Sequence, residues 1–234
     1  MSILDWTTAA EITGGVWHGK PAVGLVPEFV HDSRRLEPGQ AFVALQAQRD
    51  GHEFVAQAAS AGAVAALVSR PVQAQLCQLV VPDTLRALSQ LARQARYRSD
   101  CIVVAVTGST GKTTVCGMIT SILVAAFGPK RVLASRGNFN NHIGLPLSLL
   151  RLDSEHRYAV LEAGMSKPGE LADLAALAEP DLGVVTNIGS AHLGNFSSRS
   201  QIAQAKGELL AGTRKSGACV FGFAEEFTDL LADL

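Results

Sequence analysis

The residues with the clearest chemical potential form a glycine-rich turn, Thr-Gly-Ser-Thr-Gly-Lys-Thr-Thr, at positions 107–114. A short apolar, β-branched run precedes the turn and an apolar stretch follows it, which predicts a strand, a loop and a helix. Glycines let backbone N–H groups point at an anion, the helix N-terminus adds its dipole, and the lysine adds a positive charge. The turn therefore predicts a nucleotide phosphate site made by Gly108, Ser109, Thr110, Gly111, Lys112, Thr113 and Thr114.

The spacing of this loop is shorter than the usual G-x-x-x-x-G-K-[ST], because Val106 stands six positions before Lys112. The alternative, a glycine turn before an ordinary helix, leaves Lys112 and the two threonines after it unexplained. In the phosphate-loop interpretation, the Thr113 hydroxyl binds a magnesium ion.

Polar residues also follow other predicted strands. Asn138, Asn140 and Asn141 lie between two glycines, where either an elaborate turn or a substrate loop explains them. Glu162 ends an apolar strand, and a carboxylate beside a phosphate loop is suited to binding magnesium. The alternative is that Glu162 merely ends an edge strand and binds no ion. Taken alone, His192 is equally explained as a packed histidine, and Lys206 as an exposed helix lysine.

Two polar segments stand out in the first hundred residues. Asp32-Ser33-Arg34 is explained equally well by a solvated turn and by a ligand site. Gln46, Arg49 and His52 follow a predicted strand, which is where α/β folds bind ligands, although loop polarity alone also accounts for them.

Strands and helices alternate along the whole chain, which predicts an α/β protein. We expect a small N-terminal α/β domain at residues 1–98 and a phosphate-loop domain with a mostly parallel sheet at residues 99–234. A polar stretch, residues 96–100, marks the boundary.

Composition limits the class of protein. The 234 residues are 47% hydrophobic and 18% charged with a net charge of −1, which argues against disorder and against an extended nucleic-acid surface. No signal peptide is evident, and the longest apolar run is too short to span a bilayer. We expect a soluble, cytoplasmic, monomeric protein without membrane insertion, whose scattered cysteines are reduced.

The motifs taken together resemble those of the Mur ligases of peptidoglycan synthesis. The resembling segments are T-G-S-T-G-K-T-T (107–114), G-N-F-N-N-x-I-G-x-P-L (137–147), L-E-A-G (161–164), A-H-L (191–193) and A-K-G-E (205–208). In the first domain, D-S-R (32–34) followed by P-G-x-x-F-V-A-L (38–45) is similar to the UDP-binding module of the family.

The resemblance implies a role for each residue. Lys112 and its loop would hold ATP. The Mg²⁺ site would consist of Thr113, Glu162, His192 and Lys206. Lys206 would be carbamylated by carbon dioxide. The catalytic residues would be Lys112, Lys206 and His192. Asn138, Asn140 and Asn141 would line the substrate cleft, and Ser33 and Arg34 would seat the uridine nucleotide.

The asparagine-rich loop favours the family reaction in which D-alanyl-D-alanine is joined to UDP-N-acetylmuramoyl-tripeptide through an acyl phosphate. Family members have a further C-terminal domain, so we expect this chain to represent the N-terminal domain and part of the central one, with little or no turnover of its own. The alternatives are a non-catalytic protein that binds UDP-muramoyl-peptide or nucleotide, and a sister ligase that adds a single amino acid or acts on folate.

Overall fold

The computed structural model of the chain describes residues 3–189, 195–222 and 226–233. The chain divides into two compact units. The first runs to Ser99 and also includes Leu149–Ser154, and the second comprises Asp100–Ser148 and the chain from Glu155 onward. The assignment of residues 1–98 to a UDP-binding domain and 99–234 to an ATP-binding domain stays a prediction.

The first unit is a small α/β fold. Its described strands form one sheet in the order β1-β5-β4-β3-β2, in which β1 is antiparallel to β5 and the other neighbours are parallel. The strands are β1 (Val16–His18), β2 (Phe29–Val30), β3 (Ala41–Val43), β4 (Ala65–Val68) and β5 (Cys77–Val80). The helices are α1 (Trp6–Thr13), α2 (Val55–Ser60) and α3 (Thr84–Tyr97).

Local sequence signals explain these elements. Asp5 and Asp83 each accept a hydrogen bond from a backbone N–H in the first turn of α1 and α3, which satisfies a donor that the helix cannot satisfy internally. All four residues of β4 are buried, as expected for an interior parallel strand. Asp50 caps a 3-10 turn, Gly51–Phe54, which is followed by α2.

The second unit has a parallel sheet whose described strands lie in the order β10-β9-β6-β8-β7. The strands are β6 (Ile102–Thr107), β7 (Val132–Ala134), β8 (Tyr158–Glu162), β9 (Leu182–Val185) and β10 (Ala218–Phe221). The helices are α4 (Lys112–Phe127), α5 (Gly144–Leu149), α6 (Glu170–Ala178), α7 (Arg199–Ala211) and α8 (Thr228–Ala232).

The central strand β6 carries the core of this unit. Val104 and Val106 belong to an apolar cluster with Cys116 of α4, while α6 and α7 also contact β6. Because all the strands are parallel, their carboxyl ends meet at one edge of the sheet, where the turn at residues 108–111 follows β6. The predicted α/β class with a parallel phosphate-loop sheet is confirmed.

Helix α6 lies between β8 and β9, and α8 is the last described helix. No helix within the described ranges has both the length and the apolar character needed to cross a membrane.

Candidate functional site

The turn between β6 and α4 depends on glycine. Gly108 has a φ of 152° and Gly111 a φ of 79°, a region that side chains disfavour. A Cβ added to Gly108 would lie 1.8 Å from the Thr186 hydroxyl oxygen. The loop can therefore approach the end of β9 only if position 108 has no side chain.

Residues that follow β9 hold the loop. The Thr186 hydroxyl donates to the Thr110 carbonyl (2.6 Å), the Thr110 N–H donates to Asn187 Oδ1 (3.0 Å), and Asn187 Nδ2 donates to the Thr110 hydroxyl (2.7 Å). The Gly189 N–H donates to Ser109 Oγ (2.8 Å). Ser109 and Thr110, two predicted phosphate-binding residues, thus have side chains that fix the loop. Sequence reasoning missed the roles of Thr186 and Asn187.

Lys112 and Thr113 begin helix α4 at this turn. Lys112 Nζ donates to the Gly108 carbonyl (2.9 Å), so the ammonium group lies against the loop. Gly111 precedes them as the helix N-cap, without a side-chain capping bond. A helix N-terminus of this kind presents N–H groups and the positive end of its dipole to an anion.

Glu162 is the centre of a polar cluster beside the loop. Its carboxylate accepts hydrogen bonds from the Thr113 hydroxyl (2.7 Å) and from Asn140 Nδ2 (2.8 Å), and the residue is only 3% exposed. Strand β8 lies between β6 and β7, so Glu162 ends an interior strand. Carboxylate and hydroxyl oxygens are the donors that Mg²⁺ prefers, so this pair suits the ion chemically.

The three predicted asparagines have different surroundings. Asn140 contacts Glu162, and its carbonyl accepts from the Gly164 N–H (2.7 Å). Asn141 Oδ1 accepts from the N–H groups of Ile143 and Gly144 at the start of α5 (3.0 and 2.9 Å). Asn138 is exposed, and its carbonyl accepts from the Asn140 N–H (2.8 Å). Asn140 and Asn141 line the cleft described next.

A cleft of about 500 Å³ lies next to the loop within the second unit. Its lining includes Lys112, Lys206, Asn140, His142, Glu170 and Asp173. Lys206 is 2% exposed. Burial, together with the positive charge of Lys112, lowers the pKa of its amine from 10.5 to about 8. The structure therefore brings a buried, readily deprotonated amine to the same cleft as the phosphate loop.

Helix α7 is held where it presents Lys206. Ser198 caps its N-terminus by accepting from the Gln201 N–H (3.2 Å). Glu208, one residue beyond Gly207, accepts from the N–H groups of Gly169 (2.7 Å) and Ala172 (3.1 Å) at the start of α6. A carboxylate at a helix N-terminus is stabilised by unpaired N–H groups and by the helix dipole.

Thr107, the last residue of β6, is fully buried. Its hydroxyl has no hydrogen-bond partner within the part of the chain that the structure describes. A buried polar atom of this kind is uncommon, and functional sites are among the places where it occurs. Its position directly before Gly108 puts this polar atom at the base of the phosphate loop.

In the first unit, the two residues predicted to seat the uridine nucleotide, Ser33 and Arg34, differ in solvent exposure. Ser33 is buried and donates from Oγ to Gln57 Oε1 of α2 (2.9 Å). The Arg34 side chain is 80% exposed and donates from Nε and Nη2 to the Asp32 carboxylate, both at 2.8 Å. Hydrogen bonds from Arg34 lower the pKa of Asp32 to about 2, so this pair stays ionised.

The remaining predicted metal residue, His192, lies outside the described residues. Among residues 3–189, 195–222 and 226–233, no group of three or more His, Cys, Asp or Glu side chains is arranged to hold a metal ion. Within those ranges, Glu162 and Thr113 are the predicted metal residues in direct contact with each other.

A family model, the Mur ligase middle domain, matches residues 106–233, more than half of the chain. The chain belongs to the Mur ligase family. The predicted resemblance is thereby confirmed, and the matched segment contains the phosphate loop, Glu162 and Lys206.

Relatives in this family carry a more specific name. The UDP-N-acetylmuramoyl-tripeptide--D-alanyl-D-alanine ligase of Escherichia coli is 44% identical over 190 residues, 81% of this chain and 41% of its own length. The protein of the same name from Bacillus subtilis is 44% identical over 194 residues, 81% of this chain and 42% of its own. The chain thus spans less than half the length of these curated relatives.

Solved structures of the family have the same fold. MurF from Acinetobacter baumannii matches with a TM-score of 0.87 at 36% identity, covering 100% of this chain and 52% of that one. MurF from Thermotoga maritima in complex with ADP matches with a TM-score of 0.75 at 33% identity, covering 89% of this chain and 48% of that one. This Mur ligase chain therefore shares its architecture with about half of a MurF protein.

Proposed function

We propose that the chain carries the nucleotide-binding parts of an ATP-dependent ligase that joins D-alanyl-D-alanine to UDP-N-acetylmuramoyl-tripeptide. The observation that carries the proposal is the Thr113–Glu162–Asn140 cluster beside the Lys112 loop, in a cleft that also contains buried Lys206. The names of the E. coli and B. subtilis relatives support the choice of substrates.

In the second unit, the loop N–H groups and Lys112 would hold the ATP phosphates. Thr113 and Glu162 would hold Mg²⁺, together with His192 as the family resemblance implies. The ion supplies charge neutralisation for phosphoryl transfer. The ADP in the T. maritima MurF structure supports this assignment by analogy.

Lys206 is proposed to act as a carbamate. Its neutral amine would attack carbon dioxide, forming an N–C bond and releasing one proton, and the side chain would become an anion near the metal. The lowered pKa of the amine, about 8, supports this step because only a neutral amine is nucleophilic. Asn140 would orient Glu162, while Asn138 and Asn141 would contribute to the substrate side of the cleft.

In the first unit, Ser33, Arg34 and the loop after β3 are proposed to seat the uridine nucleotide. The carboxyl ends of β2, β3 and β4 lie side by side in a parallel sheet, which is the edge where α/β folds bind ligands. The incoming amine, D-alanyl-D-alanine, would be the second substrate.

The test is ADP release by the purified chain with ATP, Mg²⁺, UDP-N-acetylmuramoyl-tripeptide and D-alanyl-D-alanine, together with calorimetric binding of ATP and of the UDP substrate. Lys112→Ala should abolish ATP binding, whereas Lys130→Ala, an exposed lysine of the same unit, should leave it unchanged. Release that requires both substrates supports the ligase, and release with D-alanine in place of the dipeptide supports a sister ligase. Failure to bind ATP overturns the proposal.

A second candidate function is a non-catalytic protein that binds UDP-muramoyl-peptide and nucleotide. The loop and the cleft support nucleotide binding by themselves, whereas turnover is a separate property that only the ADP-release assay tests. Binding of both nucleotides with Lys112-dependent affinity but without ADP release is the result expected in that case.

A further inference from the structure

The loop after β3, residues 46–50, is closed at its base. Gln46 and Asp50 form an isolated antiparallel bridge, and the Gly51 N–H donates to the Leu45 carbonyl (2.9 Å). A Cβ at Gly51 would lie 2.7 Å from the Leu45 backbone, so only glycine permits this approach. The tip of the loop, which includes Arg49, is exposed.

A buried histidine connects this loop to the next strand. The His52 side chain is 0% exposed, with Nδ1 2.6 Å from Asp50 Oδ1. Its Nε2 lies 2.9 Å from the backbone nitrogen of Ser69, directly after β4. A backbone N–H can only donate, so Nε2 must offer its lone pair and the imidazole proton must be on Nδ1, donating to Asp50.

Asp50 extends the connection. Its Oδ1 also accepts from the His52 N–H (3.0 Å), and its Oδ2 accepts from Arg70 Nη2 (2.6 Å). Hydrogen bonds from His52 lower the pKa of Asp50 to about 2, so the carboxylate stays ionised. The chain Arg70–Asp50–His52–Ser69 therefore ties together the carboxyl ends of two neighbouring parallel strands.

The same residues have the order of a catalytic triad, since Ser69 Oγ lies 3.2 Å from His52 Nε2. Two facts argue against activation of the Ser69 hydroxyl. The Nε2 lone pair already accepts the shorter bond from the Ser69 backbone, and the imidazole is fully buried. A general base must have its lone pair free for the nucleophile's proton. The geometry suits a role in holding the loop.

We propose that His52 is a positioning residue that keeps loop 46–50 in the conformation that binds the phosphates of the uridine nucleotide. The inference rests on the proposed function. Arg49 lies at the exposed tip of this loop and is its cation for a phosphate; its guanidinium lies 4.5 Å from the centre of the Phe54 ring and 3.7 Å from Glu53 Oε2. Ligand binding loses less conformational entropy when the loop is already held in its bound conformation, so the affinity is higher.

The test uses the full chain and isothermal titration calorimetry with UDP and with UDP-N-acetylmuramoyl-tripeptide. His52→Phe removes both imidazole hydrogen bonds, and we expect it to weaken binding of both probes about tenfold or more. His52→Gln keeps a donor and an acceptor and should recover part of the affinity. His18→Phe, at an exposed histidine of the same unit, is the matched control and should bind normally.

Four further readouts separate a positioning role of His52 from general damage to the fold. ATP binding by the second unit and the circular dichroism spectrum should be unchanged in His52→Phe; if that variant does not fold, His52→Gln decides the outcome. Ser69→Ala should bind UDP normally, because its backbone N–H makes the bond, whereas loss of binding would favour a role for the hydroxyl and overturn the proposal. Nitrogen-15 NMR should show wild-type His52 as the Nδ1–H tautomer, and the Nε2–H form would contradict it.

Loss of the uridine site and loss of the positioning role give different binding results. A wild-type chain that binds ATP but neither UDP probe overturns the uridine site and the role of His52 with it. A wild-type chain that binds the UDP probes, with a folded His52 variant that binds them equally well, overturns only the positioning role.

Discussion

Burial determines the protonation of Lys206. The side chain is on α7, is 2% exposed, and has its pKa lowered to about 8 by desolvation and by Lys112. A lysine in water keeps its proton to about pH 10.4, so it is rarely nucleophilic near neutral pH. The same burial that favours the neutral, nucleophilic amine also destabilises the charged form. The free energy of unfolding should therefore depend on the protonation of Lys206.

We expect Lys206→Met to stabilise the chain at neutral pH. The amine of Lys206 releases its proton near pH 8 in the folded state and near pH 10.5 in the unfolded state. The buried ammonium group therefore lowers the free energy of unfolding most below pH 8, and this destabilisation disappears as the pH rises toward 10.5. The difference in free energy of unfolding between variant and wild type should fall by up to about 3 kcal/mol between pH 7 and pH 10.5. Urea unfolding across this pH range measures the difference.

Lys215→Met, at an exposed lysine, is the control and should follow the wild-type pH profile. A free energy of unfolding for Lys206→Met that runs parallel to that of the wild type at every pH would contradict the expectation.

A second prediction concerns Gly108. Its φ of 152° and the 1.8 Å approach of the Thr186 hydroxyl leave no room for a methyl group. Gly108→Ala should reduce ATP affinity more than tenfold in calorimetry, because the loop must move away from β9. Gly117→Ala is the control, since no atom lies within 4 Å of its added Cβ, and it should raise the free energy of unfolding by about 0.5–1 kcal/mol. Normal ATP binding by Gly108→Ala would show that the loop does not need this contact.

At the scale of elements, the contact between α6 and α7 positions one wall of the cleft. Glu208 on α7 accepts hydrogen bonds from two backbone N–H groups at the start of α6. Both helices also line the cleft, α6 with Glu170 and Asp173 and α7 with Lys206. A carboxylate that joins two helices fixes their relative rotation, and hence the direction of the side chains that they carry.

Removing this carboxylate should loosen both helices. We expect Glu208→Ala to lower the free energy of unfolding by about 1–2 kcal/mol, because two N–H groups lose a charged acceptor. Gln204→Ala, at an exposed position on the same helix, should change it by less than about 0.5 kcal/mol. Chemical denaturation measures both variants. Equal stability of the two would mean that water replaces the carboxylate without loss.

At the scale of the whole molecule, helix α4 presents an apolar surface. Met118 is 60% and Ile122 67% exposed, and no charged residue occurs in α4 after Lys112. Large exposed apolar side chains grouped on one helix favour association with other apolar surfaces or ligands.

This surface should bind a hydrophobic dye. We expect the double variant Met118→Lys, Ile122→Lys to show a severalfold weaker fluorescence with 8-anilinonaphthalene-1-sulfonate, because both charges interrupt the apolar stripe. Val23→Lys, at a valine of the first unit that is 87% exposed, should leave the signal unchanged. Unchanged dye fluorescence in the double variant would locate the binding elsewhere.

Local signals in the sequence determined much of this protein. Apolar runs separated by turn residues correspond to the strands β3 to β9, Asp5 and Asp83 lie at the caps of their helices, and the glycine turn lies between β6 and α4. These features depend on residues a few positions apart, so their physics can be evaluated from neighbours along the chain. The family was also predictable, because its motifs are short and ordered.

Tertiary structure alone decided which of these residues meet. Thr113 and Glu162 are 49 positions apart, Thr110 and Asn187 are 77 apart, and Gly169 and Glu208 are 39 apart. Such pairs form only when strands align in one register and helices pack on a common face, which no local pattern specifies. The buried state of Lys206 and the tautomer of His52 have the same origin, since both follow from neighbours that the fold brings together.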